Sequence, residues 1–183
     1  MQHIESTLIQ SFILLNQFFR ENNVRYCLIG GMAVGFWGNP RYTQDMDFTV
    51  ATHEVSLKPV ITLLEKGKFK LIKKGDSQIQ ITGHGNLRFM ADIILAEVEY
   101  QDWVVQRAQV VEIFKTPVPI CSAEDLIVLK LIANRRQDLL DIETILKTCA
   151  LQLDKNYLKK WFEFWELNER FDNEFGKDFS LKL

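Results

Sequence analysis

Asp45 and Asp47 stand one residue apart in Arg41-Tyr-Thr-Gln-Asp-Met-Asp-Phe-Thr-Val50, where a polar stretch gives way to an apolar one. If a strand starts there, residues i and i+2 send their carboxylates off the same face. Like charges that close repel unless a cation or a hydrogen-bond network lies between them. A hard divalent ion such as Mg²⁺, which takes carboxylates, water and phosphate oxygens, is the natural partner. Read alone, the pair also suits a solvated turn acid followed by a strand-edge acid. Asp92 lies in Arg88-Phe-Met-Ala-Asp-Ile-Ile-Leu95, a mostly apolar run in which an unpaired acid would be costly. Beside the Asp47 strand it would complete a three-acid cluster able to hold two metals about 3.5–4 Å apart, suited to in-line displacement at phosphorus. Otherwise it is a charge on the open face of a hairpin. Gly30-Gly31 follows the β-prone run 24–29 and precedes a short helix. Free amide N–H groups, a positive helix end and the missing Cβ would suit an anion there, though such a pair also makes an ordinary tight turn.

Asp45-Met-Asp-Phe-Thr-Val50 literally matches the DxDx[T][VL] signature of haloacid-dehalogenase-like phosphatases. In that signature the first Asp ends an apolar strand, whereas here the apolar run follows the acids, so the phosphatase reading fails. The chain has 183 residues, 47% of them hydrophobic, and a formal net charge of -2. No global basic field recruits nucleic acid, and residues 1–121 and 122–183 taken separately show none either. Cys27, Cys121 and Cys149 are widely spaced in apolar surroundings and read as buried reduced thiols. The N-terminus lacks a signal-peptide pattern, and no apolar run reaches the roughly 18 residues of a membrane span. A cytoplasmic protein is expected.

The elements that must position these groups follow from periodicity and punctuation. Helices are expected at 4–22, 32–37, 54–66, 100–108, 122–148 (with a break near 134–137) and 154–169. Strands are expected at 24–29, 47–51, 68–73, 77–82, 87–96, 109–114 and 117–120. Ser122-Ala-Glu-Asp125 is a capping-box-like helix start. The order predicts an α+β fold: a mixed β-sheet with helices on one side and a helical C-terminal part. Residues 1–121 would form the core and residues 122–183 the helical part packed on it. Five lysines within 66–74 suit an exposed edge strand or an RNA backbone. Trp161, Phe162, Phe164 and Trp165 suit a core or a subunit interface, and the tail 169–183 receives no role.

Two glycines before a short helix, then Arg41-x-Thr-x-Asp-x-Asp47 and a later strand aspartate, resemble the nucleotidyltransferase superfamily typified by DNA polymerase β. Within it the pattern is most similar to the abortive-infection-type enzymes of toxin–antitoxin systems. Ser122-Ala-Glu-Asp-Leu-Ile-Val-Leu-Lys130 and Asn134-Arg-Arg-Gln-Asp-Leu-Leu-Asp-Ile142 echo the C-terminal signature of that group. The resemblance implies Asp45, Asp47 and Asp92 as catalytic and metal-holding residues, with Mg²⁺ or Mn²⁺ as cofactor and an NTP such as ATP as substrate. It implies nucleotide binding by Gly30, Gly31, Arg41 and Lys130. It also implies a hydroxyl acceptor on a tRNA 3′ end or a protein, and leaves room for a cognate toxin or antitoxin and for an oligomer. Two departures stand out: the spacing from Gly31 to Asp45 is longer than in minimal antitoxin-type members, and Gly31 replaces a serine. Without the resemblance, Lys130 reads equally as a snorkelling lysine; residues 135–141 read as an ion-pair network orienting the last helices or as an acceptor contact.

Overall fold

A computed structural model gives the structure of residues 2–43, 45–51, 57–67, 69–75, 77–83, 89–176 and 179. The chain forms two compact units, Met1–Gly30 with Tyr42–Cys121, and Gly31–Arg41 with Ser122–Leu183. The segment 31–41 thus groups with the helical residues, a placement that a linear division at 121 does not foresee.

The first unit contains α1 (Gln2–Glu21), β1 (Tyr26–Ile29), the first residue of α2 (Gly30–Trp37), β2 (Asp45–Ala51), α3 (Leu57–Lys66) and β3 (Phe69–Lys74). It continues through β4 (Gln78–Gly83), β5 (Met90–Ala96), α4 (Glu99–Gln106), β6 (Gln109–Ile113) and β7 (Thr116–Ile120). The seven strands form one sheet in the order β3-β4-β5-β2-β1-β7-β6. β2 runs parallel to β5 and β1 parallel to β7, while the other neighbours are antiparallel. The expected mixed α+β sheet is therefore present.

α1 forms because Phe12, Leu15 and Phe19 recur at helical spacing, and all three are fully buried. Phe12 stacks on Phe48 of β2, and Phe19 meets both Phe48 and Tyr26 of β1. Aromatic pairs of this kind contribute about 0.5–1.5 kcal/mol each beyond the area they bury. They commit one face of β1 and β2 to α1, and by alternation send Asp45 and Asp47 to the other face. β3 is an edge strand, and its exposed Lys70 fits the reading of the lysine run as an edge blunted by charge. Lys68 of that run, residues 84–88 and most of the tail beyond 176 lie outside the described residues. Buried Asn16 ties α1 to two strands: its Oδ1 accepts from the Tyr26 hydroxyl, and its Nδ2 donates to Pro117 O at 3.1 Å. Burial raises the Tyr26 pKa well above that of a free phenol, against a smaller lowering by Arg20, so the hydroxyl stays a donor.

The second unit contains the rest of α2, then α5 (Ala123–Ala133), α6 (Arg136–Cys149), α7 (Lys155–Phe164) and α8 (Asn168–Phe175). Ser122 caps α5 by accepting from Asp125 N at 3.1 Å. Asn134, left-handed at φ 50°, ends α5 where the break was expected. The helix expected over 154–169 is instead two. Glu166 turns left-handed at φ 54°, and Leu167 is drawn inward, its N–H donating to Phe162 O at 2.7 Å. The turn lets Phe171 of α8 pack on Phe162 of α7 at 5.1 Å between ring centroids. Periodicity missed the stop because no glycine or proline marks it. The aromatic group divides: Trp161 and Phe162 are buried, whereas Phe164 is 65% exposed. All three cysteines are buried thiols outside any disulfide. Among the described residues no helix is long and apolar enough to cross a membrane.

Tyr26→Phe leaves Asn16 Oδ1 buried without its hydroxyl donor. A loss of about 1–3 kcal/mol is expected, read as a lower urea midpoint with an unchanged denaturant slope.

Candidate active site

The acids are placed by register. Asp47 of β2 is the partner of Asp92 of β5 in the parallel pair, and of Ile29 in the antiparallel pair with β1. Gln80 of β4 is the partner of Asp92. Gln80, Asp92, Asp47 and Ile29 therefore form a row across four adjacent strands, on the face opposite Phe48. Asp45 opens β2 on the same face, opposite Met90. Its strand start is steadied by Thr43, whose hydroxyl donates to Asp45 O at 3.1 Å. Asp45 is exposed, while Asp47 and Asp92 are half-buried. Asp92 accepts at Oδ1 from Gln80 Nε2 at 3.1 Å.

Gly30 takes φ +66°, a left-handed conformation that favours glycine. A Cβ at this position would run into the Asp47 carboxylate and approach Asp47 Cβ to 2.6 Å. The first glycine of the pair is thus a steric requirement of Asp47, whatever else its amide contacts. The sequence showed a tight turn and did not show what the turn must clear. The signal available was the spacing of β1 and β2, which puts Ile29 opposite Asp47 once the hairpin register is known.

Asp47, Asp92 and Asp45 share a sheet face, which suits a hard divalent cation by donor chemistry and by the bare backbone at Gly30. As the side chains stand, no group of three or more His, Cys, Asp or Glu among the described residues is gathered to hold a metal. The in-register pair is Asp47 and Asp92, and one Asp92 oxygen is committed to Gln80.

Lys130 and Arg41 belong to the second unit and are occupied there. Lys130 is 5% exposed, and its Nζ donates to Asp138 Oδ1 at 3.0 Å and Asp141 Oδ2 at 2.6 Å. Arg41 grips Asp141 with two bonds, Nε to Oδ1 at 2.7 Å and Nη2 to Oδ2 at 2.9 Å. Gln137 adds a third donor to Asp141, and Arg135 pairs with Asp138. Residues 135–141 thus form the ion-pair network that was one of the two readings of that stretch. The segment 31–41 is fastened to α6 at two further points. The Cys149 thiol donates to Trp37 O at 2.9 Å, and its pKa is raised by burial and then by the Glu124 charge, which keeps the proton on sulfur. A Cβ on Gly38 would come within 2.6 Å of Thr144 Oγ1, so the loop and helix meet closely. Gly31 is buried within α2.

The other polar residues of Ser122-Ala-Glu-Asp125 are committed in the same way. Glu124 accepts from Asp154 N at 2.8 Å at the start of α7, and Asp125 accepts from the Tyr157 hydroxyl at 2.6 Å.

The mixed seven-stranded sheet is consistent with the α+β fold expected from the resemblance to the nucleotidyltransferase superfamily. Solved structures agree. ANT(2")-Ia in complex with adenylyl-2"-tobramycin is similar at a TM-score of 0.60 and 14% identity, over 93% of this chain and 99% of that one. An antigenic nucleotidyltransferase-like protein from Paracoccidioides brasiliensis gives 0.57 at 17% identity over 90% of each chain. The lincosamide antibiotic adenylyltransferase LnuA, lincomycin-bound, gives 0.54 at 17% identity over 77% of this chain and 95% of that one. No family model matches the sequence, and no curated protein matches it. The chain has the nucleotidyltransferase fold.

Burial raises the pKa values of Asp138 and Asp141, but this is outweighed by their hydrogen bonds and the Lys130 charge. The net effect is to lower both below the ordinary 3.8. A depressed folded-state pKa gives stability that is present in full above the unfolded value and lost as pH falls through the folded one. Acid unfolding should therefore steepen below about pH 4, and Asp141→Asn should flatten that slope when urea midpoints are compared across pH. At neutral pH the same variant removes the carboxylate that Lys130 and Arg41 share, leaving the buried Lys130 with Asp138, and should cost about 3–5 kcal/mol. Gly30→Ala should cost about 1–2 kcal/mol from φ alone, more with the Asp47 clash, read by thermal melting.

Proposed function

We propose that the protein is a divalent-metal-dependent nucleotidyltransferase that moves an NMP from an NTP to a hydroxyl acceptor and releases pyrophosphate. The observation that carries this reading is the register of Asp47 against Asp92, beside a glycine turn that cannot hold a side chain. Asp45, Asp47 and Asp92 would hold Mg²⁺ or Mn²⁺. The bound cation would supply charge neutralisation at the phosphates and a more acidic acceptor hydroxyl. Asp92, half-buried and flanked by an amide, would take the hydroxyl proton as the oxygen attacks the α-phosphorus. The amides of Gly30 and Gly31 at the start of α2 would receive phosphate oxygens. Lys130 and Arg41, spent on Asp141, support the fold of the 31–41 segment in this reading, and nucleotide contact by either would require exchanging those partners.

The acceptor we favour is a small hydroxylated molecule. Structures similar over nearly their whole length carry adenylyl-tobramycin and lincomycin, and a chain of net charge -2 offers no general attraction to RNA. A tRNA 3′ end, a protein hydroxyl and a toxin–antitoxin setting, implied by the sequence resemblance, are separate arms of the same assay. A second reading, a partner-binding module without catalysis, draws on Phe164, exposed on α7 with Trp165 against it at 5.1 Å.

Each α-labelled NTP is incubated with Mg²⁺ or Mn²⁺ and with aminoglycoside, lincosamide, tRNA or protein acceptors. Labelled acceptor and pyrophosphate are expected, reduced at least about 100-fold in Asp47→Asn and Asp92→Asn. Transfer unchanged in both variants would sink the reading. Release of phosphate without pyrophosphate would replace it with a phosphohydrolase. Absence of any melting-temperature rise with Mg²⁺ and every NTP would favour the binding module.

A further inference from the structure

We propose that Gln80 is a positioning residue for Asp92, setting how that carboxylate is presented to a divalent cation. The proposal rests on the reading of Asp47 and Asp92 as cation-holding acids. Gln80 and Asp92 are register partners on antiparallel β4 and β5, so their side chains leave the sheet on one face. β4 reads Gln78-Ile-Gln-Ile81, with Ile79 and Ile81 fully buried and the glutamines on the other face. Alternation alone requires only some polar residue at 80. The choice of a primary amide does more. An ionised carboxylate only accepts, so the amide must present its NH₂ to Asp92, as observed at 3.1 Å from Oδ1. A lysine or arginine here would neutralise Asp92 and compete with a cation, and a glutamate would repel it. A glutamine orients the group while leaving its charge intact. It also engages one oxygen and leaves the other to a ligand, the arrangement by which outer residues orient ligating carboxylates. The register partners of Asp92 are Asp47 on the β2 side and Gln80 on the β4 side.

Mn²⁺ binding is measured by electron paramagnetic resonance of the free ion, on the full chain without nucleotide, together with melting in EDTA. Gln80→Leu is expected to weaken Mn²⁺ binding about 10-fold while melting like the parent in EDTA. Gln80→Asn, one methylene shorter but still polar, is expected to show the same deficit, which separates lost reach from lost polarity. Activity at saturating Mn²⁺ should then recover in both variants, as a purely structural lesion would not. Parental Mn²⁺ affinity in both Gln80 variants, with binding lost in Asp92→Asn, overturns the assignment of Gln80 alone. Parental affinity in Asp92→Asn and Asp47→Asn as well overturns it together with the reading it rests on.

Discussion

Asp47 occupies the volume that a side chain at position 30 would need, and this exclusion shapes the first unit around its acids. The φ of +66° at Gly30 turns the chain away from β1 directly after Ile29, the residue opposite Asp47. With Gly30 bare, the Asp47 carboxylate can lie over the backbone at the start of α2, beside Asp92. A larger residue at 30 would push Asp47 off the row. The same stretch of β2 is held from behind, because Phe48 is fixed between Phe12, Phe19 and Tyr26. One strand residue therefore locks the strand from the apolar face, while its neighbour presents a charge on the other.

The second unit shows what becomes of charges that have no such open face. Lys130, Asp138 and Asp141 are almost completely buried, and each is supplied with several partners. Buried ion pairs of this kind contribute little net stability over apolar replacements, yet losing one member leaves an uncompensated charge. Their effect is to select one arrangement: Arg41 reaches Asp141 only if 31–41 lies along α6 as it does. Thr144 against Gly38 and Cys149 against Trp37 impose the same placement through packing and a hydrogen bond. Three independent constraints on one short segment explain why it groups with helices distant in sequence rather than with the strands that flank it.

Most of the fold was legible because its elements obey simple periods. Phe12, Leu15 and Phe19 announced α1, alternation in 78–81 announced β4, and the Ser122 cap marked the start of α5. The pairing of Asp47 with Asp92 could be posed from the sequence and answered only by the fold. Register depends on which strands become neighbours, and β2 and β5 are separated by α3, β3 and β4. The stop at Glu166 was hidden because an ordinary residue takes the left-handed turn, and the gain lies in burying Leu167 and Phe171. Lys130 was ambiguous for a related reason. A lysine amid apolar residues reads the same whether it snorkels, meets phosphate or is buried against acids. Only the return of α6 brings Asp138 and Asp141 to it.

These cases share a physical pattern that separates the two motif blocks. In Arg41-x-Thr-x-Asp-x-Asp47, Arg41 and Thr43 are drawn into the scaffold, and the aspartates are left on the sheet face that Asp92 and Gln80 share. In Ser122 to Lys130, every polar side chain is engaged inside the unit, by a helix start or by a counter-charge. A polar group whose charge is met within the fold contributes to shape. Asp47 and Asp92 face each other as like charges, and Gln80, the neighbour on the β4 side, carries no charge. Two carboxylates side by side in register, with a neutral amide beside one of them, are a donor set that would suit a hard divalent cation.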